Sequence, residues 1–415
     1  MVQTRASGSF PNREVLISLL LVIPMFTHWL LPAGLERKFM LFAGFGLFYL
    51  PNICYFIYII LYSVLHINVV YTKNQKYTIF LICLCLFLFS ILQLVSAPDV
   101  IGEDISFIIF NNFSFIYLPL LFFCFPLDYE HLNSLRFFFL VVWFIICVEV
   151  LLYSVGLSFW GPDMTEGMTM DYAGVYRVHT TVGASTGTSI IVYVLGILLT
   201  SFFQFEKKTT FIILIITSIA VLFSVSRGSI LVWGIYVCIL FYKDYFKQTK
   251  SLRKVLYILI AVLCVLALYK YHFFDPLITR NELKEKNDLT SGRIDYDKAV
   301  LKIAKESSYL GVGSGEVYPD KSIIDVININ HYAPVHNLYL LYLAEIGIMG
   351  CIFLFFIFFI ALKGLDYSRT STWLLWGVLG ISCNIEMIFA WAEFMPLLLF
   401  FILCCKKNRS RIIVN

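Results

Sequence analysis

Twelve apolar stretches recur along this chain of 415 residues, and most approach the length of a membrane-spanning helix. A helix needs about 20 apolar residues to cross a hydrocarbon core roughly 30 Å thick. Hydrophobic residues make up 60% of the chain and charged residues only 14%, less charge than water-soluble domains carry. The sequence therefore predicts an all-α, polytopic bundle of about 12 transmembrane helices. The predicted spans are residues 15–32, 39–66, 78–96, 105–124, 136–158, 188–204, 209–225, 229–242, 255–270, 337–362, 373–388 and 392–405.

The distribution of basic residues predicts the orientation of this bundle. The segments on the same side as the N-terminus carry 18 of the 31 lysines and arginines, whereas the short segments on the other side carry four. Short loops rich in lysine and arginine stay in the cytoplasm. We therefore expect both termini to be cytoplasmic and the long polar segment to face outward. This divides the chain into N-terminal transmembrane helices (1–270), an outer loop (271–336), and C-terminal transmembrane helices with a cytoplasmic tail (337–415).

Charge and cysteine usage exclude several classes of function. The net charge of +4 is too small to favour nucleic acid as a partner. All 11 cysteines fall in apolar runs, which predicts buried free thiols rather than a disulfide framework. Their spacing does not match a set of metal ligands, so we expect no metal site.

The outer loop contains a predicted amphipathic helix over residues 293–308, followed by a glycine-rich break at residues 311–315. A helical period relates its apolar residues, Ile294, Ala299, Val300, Ile303 and Ala304. Such a helix could lie on the membrane or pack on the ends of the spans.

Three arginines on the outer side are candidate phosphate ligands. Arg227 lies between two apolar runs, where a cation is costly; it is either a snorkelling turn residue or a fixed partner for phosphate. A planar guanidinium suits the second role because it pairs with two phosphate oxygens and stays charged. Arg293 opens the loop helix after Ser291, where a cap and free backbone donors also favour an anion over a simple solvated charge. Arg177 is a third candidate cation.

His336 stands where the span 337–362 begins, and it is the candidate general base. Imidazole titrates near neutral pH and can accept a proton from a hydroxyl, although a histidine here could also cap the helix. Asn337 follows it directly. Glu345 lies about 13 Å further along the helix, so we expect it to support a neighbouring helix or an arginine rather than to orient His336.

Taken in order, these segments resemble the O-antigen ligase and polymerase superfamily of bacterial surface-polysaccharide enzymes. The resemblance covers roughly residues 170–362, and it is carried by segments 226–228, 291–293, 310–313, 336–338 and 345–350. It implies a GT-C-like inner-membrane bundle with short helices in a periplasmic loop. The implied activity is inverting glycosyl transfer at the periplasmic face from an undecaprenyl-diphosphate-linked oligosaccharide, with no metal, nucleotide sugar or other cofactor. By position, Arg227 and Arg293 match the arginines that hold the diphosphate, and His336 matches the catalytic histidine.

The acceptor distinguishes two branches of this superfamily. A polymerase extends another lipid-linked repeat unit and is expected to work with a chain-length regulator, whereas a ligase transfers the glycan to lipid A–core. The abundance of Phe, Ile and Asn resembles divergent O-antigen polymerases, and we favour that branch. A lipid-linked oligosaccharide flippase is the alternative from another class. It is disfavoured because the halves of the chain show no similarity and the strongest polar groups lie at the outer ends of the spans.

Overall fold

The computed structural model delimits six helices and one β-hairpin among the residues that it describes. In chain order these are α1 (Arg136–Ser154), β1 (Met168–Met170), β2 (Tyr176–Val178), α2 (Ser185–Ser201), α3 (Lys207–Phe223), α4 (Arg227–Phe241), α5 (Arg293–Glu306) and α6 (Leu338–Glu345). The described residues are 19, 20, 23, 30, 54, 57, 58, 60, 61, 77, 80, 81, 84, 135–157, 168–170, 176–178, 180, 181, 185–203, 205–224, 226–242, 293–312, 337–352, 355, 365–367, 372, 373, 376, 377 and 380.

Four of the predicted spans coincide with α1 to α4, and the span predicted to begin at residue 337 begins with α6. Within the described residues, α1 is the one helix that is both long and apolar enough to cross a membrane; α2 and α4 are apolar but shorter. The other seven predicted spans lie wholly or mostly outside the described residues. The count of about 12 spans and the orientation of the termini therefore stay predictions.

The first four helices pack into one bundle around α2. This helix contacts α1, α3 and α4, and its residues from Thr188 to Leu199 are almost completely buried. Gly196 permits the close approach, because a Cβ there would lie 2.9 Å from the Thr217 hydroxyl oxygen and 3.2 Å from the Trp233 ring. Small residues at such crossings bring helix backbones close together. Several large apolar side chains of the bundle, such as Phe144 and Phe211, are exposed, as on a surface that meets lipid.

Short connections make neighbouring helices of the bundle antiparallel. Residues 202–206 join α2 to α3, and residues 224–226 join α3 to α4. The end of α1, the start of α2, the end of α3 and the start of α4 thus share one end of the bundle, which we call the polar end. Aromatic contacts mark the opposite end, where the Phe139 and Phe203 rings lie 5.4 Å apart and the Arg136 guanidinium lies 5.8 Å from the centre of the Phe205 ring.

The predicted amphipathic helix of the outer loop is present as α5, and it packs against α6. The apolar stripe is buried from Ala299 through Ala304, whereas Lys302 and Lys305 are exposed. The stripe is therefore the face that α5 uses for packing.

The all-α expectation needs one addition. Two three-residue strands pair antiparallel between α1 and α2, with Thr169 opposite Arg177. Most of the remaining described residues are helical, as expected for an all-α membrane protein.

Candidate functional site

A buried carboxylate at the polar end holds the chain that follows the β-hairpin. Glu149 lies in the last two turns of α1 and is only 2% exposed. Its Oε1 accepts a hydrogen bond from the Thr181 backbone N–H, and its Oε2 accepts one from the Thr181 hydroxyl, both at 2.8 Å. Both carboxylate oxygens of Glu149 therefore bind a single residue three positions beyond β2.

Hydroxyl groups extend this connection across the start of α2 to the start of α4. The Thr180 and Thr188 hydroxyl oxygens lie 2.8 Å apart. The Ser229 hydroxyl oxygen lies 2.6 Å from that of Ser189 and 3.0 Å from that of Ser226. All five side chains are buried. We call the complete set of seven residues the polar ladder: Glu149, Thr180, Thr181, Thr188, Ser189, Ser226 and Ser229.

The polar ladder connects the backbone segments that carry two of the predicted cations. Arg177 lies in β2, three residues before Thr180. Arg227 is the first residue of α4, directly after Ser226 and two residues before Ser229. The side chains of both arginines lie outside the described part of the structure. Their backbones are linked through side-chain hydrogen bonds that the sequence spacing does not reveal.

A second connection joins the end of α5 to the end of α6 through the backbone. The Ile348 N–H donates to the Tyr309 carbonyl oxygen, and the Val312 N–H donates to the Ala344 carbonyl oxygen, both at 2.9 Å. This pair of hydrogen bonds crosses between two segments more than 30 residues apart in the chain.

Two glycines with positive φ permit this crossing. Gly311 has φ +93° and Gly347 has φ +67°, a region that glycine enters without steric cost. A Cβ on Gly311 would lie 2.5 Å from the Glu345 carbonyl oxygen, and one on Gly347 would collide with the Leu310 carbonyl group. We call residues 309–312 and 344–348 the glycine junction.

The glycine junction sets the direction of both helices. Because α5 and α6 each run toward it, their first turns point away from it. The 14 residues of α5 put its start about 20 Å from its end, and the eight residues of α6 correspond to about 12 Å. Arg293 opens α5 and Asn337 precedes α6, so both predicted site residues lie at the ends remote from the junction.

Asn337 is the N-cap of α6. Its side-chain oxygen accepts hydrogen bonds from the Tyr339 N–H at 3.1 Å and the Leu340 N–H at 3.2 Å. These bonds satisfy two backbone donors that otherwise have no partner in the first turn of a helix. The cap therefore fixes the point at which the chain enters α6.

The segment of the chain that matches a known family includes the glycine junction and the start of α4. Residues 212–356 match the O-Antigen ligase family. The resemblance to the O-antigen ligase and polymerase superfamily is confirmed over that segment, which includes α4, α5 and α6. No curated protein matches the chain.

The match to O-antigen ligases supports an integral inner-membrane enzyme that transfers glycans. It also supports a lipid-linked glycan and an acceptor of the lipid A–core type as partners. Arg227, Arg293, His336, Asn337 and Glu345 all lie within the matched segment, whereas Arg177 and Glu149 precede it.

The structure arranges the predicted site residues in two groups. Arg177 and Arg227 flank the polar ladder, while Arg293, Asn337 and Glu345 lie on the helix pair α5 and α6. Glu345 is buried and its carbonyl group lies at the glycine junction. His336 lies outside the described residues, and the side chain of Arg293 is also outside them. The shared site of Arg227, Arg293 and His336 therefore stays a prediction.

The pairing of Glu149 with Thr181, and the hydroxyl contacts that continue from it to Ser229, were not predicted from the sequence. The available signal was the grouping of serines and threonines at 180–189 and 226–229, each at the start of an apolar run. Hydroxyl groups placed at matching ends of antiparallel spans can hydrogen-bond across the helices.

Proposed function

We propose that this protein polymerises undecaprenyl-diphosphate-linked oligosaccharide repeat units at the periplasmic face of the inner membrane. It acts as a metal-independent, inverting glycosyltransferase. The observation that supports this function best is the match to O-antigen ligases over residues 212–356, because that segment contains Arg227, Arg293 and His336. The match favours an enzyme over the flippase alternative.

In the proposed reaction, a hydroxyl of the acceptor repeat unit attacks the anomeric carbon of the donor glycan. The bond from that carbon to the diphosphate oxygen breaks, and undecaprenyl diphosphate leaves with the bonding electrons. His336 accepts the proton of the attacking hydroxyl. Arg227, Arg293 and Arg177 bind the diphosphate. Arg227 and Arg293 also stabilise its developing charge, which is most effective in a poorly hydrated site.

The backbone around two of these arginines supports the assignment. Arg227 and Arg293 are each the first residue of a helix of at least 14 residues. The N-terminal end of a helix carries partial positive charge and unpaired N–H groups, which favour an anion. Asn337 and Glu345 have supporting roles, since the first caps α6 and the second lies at the junction that orients it.

Ligation is the second candidate, because residues 212–356 match the O-Antigen ligase family and the match does not distinguish the two acceptors. The same residues would then transfer the completed glycan to lipid A–core instead of to a repeat unit. Deletion of the coding sequence distinguishes the two acceptors on a gel of lipopolysaccharide. A polymerase deletion leaves core capped with one repeat unit, whereas a ligase deletion leaves uncapped core.

The chemical roles are tested with purified full-length protein, lipid-linked repeat units and a gel that resolves product length. We expect Arg227→Ala, Arg293→Ala and His336→Ala each to lower the rate at least about 100-fold. Arg136→Ala is the matched control, because it removes an arginine at the opposite end of the same bundle, and it should retain activity. Activity should also survive chelation of divalent metals. Wild-type product from all three site variants would overturn the proposed mechanism.

A further inference from the structure

Glu149 is an acidic residue buried in an apolar helix, and it lies before the segment that matches the O-antigen ligases. It is buried within the apolar helix α1, five residues and about 7.5 Å before the helix ends at Ser154. A carboxylate removed from water is destabilising unless hydrogen bonds compensate it. Here both carboxylate oxygens accept hydrogen bonds from Thr181. The hydrogen bonds that compensate the burial of Glu149 therefore also connect α1 to the segment after the hairpin.

This connection fixes the backbone of that segment. One of the two donors is the Thr181 main-chain N–H, so the carboxylate holds the chain itself as well as a side chain. Two more contacts reinforce it: α1 packs against β2, where Val178 is buried, and the Thr180 hydroxyl pairs with that of Thr188. The exit of β2 is therefore tied to both α1 and α2.

The strand held in this way carries Arg177. The polar ladder continues from Ser189 through Ser229 to Ser226, which directly precedes Arg227. The ladder thus sets the position of the Arg177 backbone relative to the start of α4. Two cations bind one diphosphate well only when they are held at the right distance from each other. A group that fixes this distance therefore affects the affinity for the diphosphate.

We propose that Glu149 is a positioning residue for the lipid-linked donor: it holds the strand that carries Arg177 beside the start of α4, so that Arg177 and Arg227 bind one diphosphate together. This inference rests on the proposed function. Glu149 does not touch the substrate. Its effect on the reaction passes through Arg177.

The test measures KM for the lipid-linked donor, kcat and the thermal denaturation midpoint of the full-length protein in lipid nanodiscs. The variants are Glu149→Ala, Glu149→Gln, Arg177→Ala and the double variant Glu149→Ala/Arg177→Ala. We expect each alanine variant to raise KM about 10-fold with a change in kcat below about threefold, the signature of lost binding. The double variant should equal Arg177→Ala alone, because residues that act through one another are not additive.

Two controls separate positioning from general stability. Glu149→Gln should keep KM within about threefold of wild type, since an amide oxygen accepts the Thr181 N–H and an amide NH₂ can donate to the Thr181 hydroxyl. Tyr236→Phe removes hydroxyl contacts with Thr200 and Ser201 at the opposite end of the bundle. It should lower the denaturation midpoint and leave KM unchanged. Should Glu149→Ala fail to fold, Thr181→Val removes one of the two hydrogen bonds and should raise KM about threefold.

Three outcomes would overturn the inference. These are an unchanged KM in Glu149→Ala, effects of Glu149→Ala and Arg177→Ala that multiply in the double variant, and a KM unaffected by Arg177→Ala. Failure of the proposed function is separately visible, because the wild-type protein would then not extend lipid-linked repeat units at all. An inactive Arg227→Ala together with a normal KM in Glu149→Ala rejects the positioning role alone.

Discussion

The polar ladder and the glycine junction connect distant parts of the chain by opposite means. In the polar ladder, a carboxylate and six hydroxyl residues link α1, the hairpin exit, α2 and α4, chiefly through side-chain atoms. In the glycine junction, the two segments meet through backbone hydrogen bonds, and two glycines allow them to cross. The polar ladder depends on hydroxyl and carboxylate side chains. The glycine junction depends on two positions that have no side chain at all.

This difference determines what each region tolerates. A hydroxyl or carboxylate can be replaced by another group that keeps the hydrogen bond, whereas any Cβ at Gly311 or Gly347 meets backbone atoms that cannot rotate away. The two regions also differ in their relation to the O-Antigen ligase match. The junction lies entirely within residues 212–356, and the ladder lies within it only at Ser226 and Ser229. The matched part of the chain thus contains the connection that tolerates substitution less well.

The largest expected effect comes from Gly347→Ala. A non-glycine residue at positive φ costs about 1–2 kcal/mol, and the collision with Leu310 adds a cost of about 1–3 kcal/mol. We expect the free energy of unfolding in mixed micelles to fall by about 3 kcal/mol, with loss of polymer. Gly234→Ala is the matched control, because a Cβ there meets nothing within 4 Å and alanine stabilises a helix by about 1 kcal/mol. Equal stability of the two variants would refute the tight crossing at the junction.

A smaller effect is expected from Ser229→Ala, which removes the hydroxyl shared by Ser189 and Ser226 in the polar ladder. Loss of such buried contacts costs about 1 kcal/mol. Ser218→Ala is the control, because its hydroxyl accepts a hydrogen bond from Trp233, which is not part of the polar ladder. Both variants should lose similar stability, but only Ser229→Ala should raise KM for the donor. Equal KM values would mean that the ladder serves stability alone.

An effect on stability alone is expected from Asn337→Ala, which affects α6 at the end remote from the glycine junction. Loss of the two cap hydrogen bonds should lower the free energy of unfolding by about 1 kcal/mol. Asn337→Asp keeps an accepting oxygen and should behave as wild type. Denaturation in mixed micelles measures both. A fall in the free energy of unfolding as large as that of Gly347→Ala would contradict this prediction. It would mean that the start of α6 matters as much for stability as the glycine junction at its end.

The helices of the bundle could be predicted from sequence because a long apolar run in a membrane protein has few alternatives to a helix. The run 188–204 corresponds to α2 at Ser185–Ser201, and the amphipathic period at 293–308 corresponds to α5. The hairpin could not be predicted in this way. Its strands have three residues each, too few to establish an alternating pattern.

The contacts between elements were harder to predict than the elements themselves. Glu149 and Thr181 are 32 residues apart, and Ser189 and Ser229 are 40 apart, so periodicity within one helix cannot pair them. The sequence identified the segments of Gly311 and Gly347 as parts of a resemblance, but spacing alone does not reveal that they cross. It also considered His336 as a cap, whereas the structure identifies Asn337 as the N-cap.

The order of the glycine junction along the chain has a consequence for biogenesis. The surface that receives the end of α5 includes residues 344–348, which leave the ribosome about 35 residues after it. The helix α5 therefore reaches its final position only once residues 344–348 have been synthesised. A nascent chain that stops before Ala344 carries Arg293 but lacks the partner that orients it.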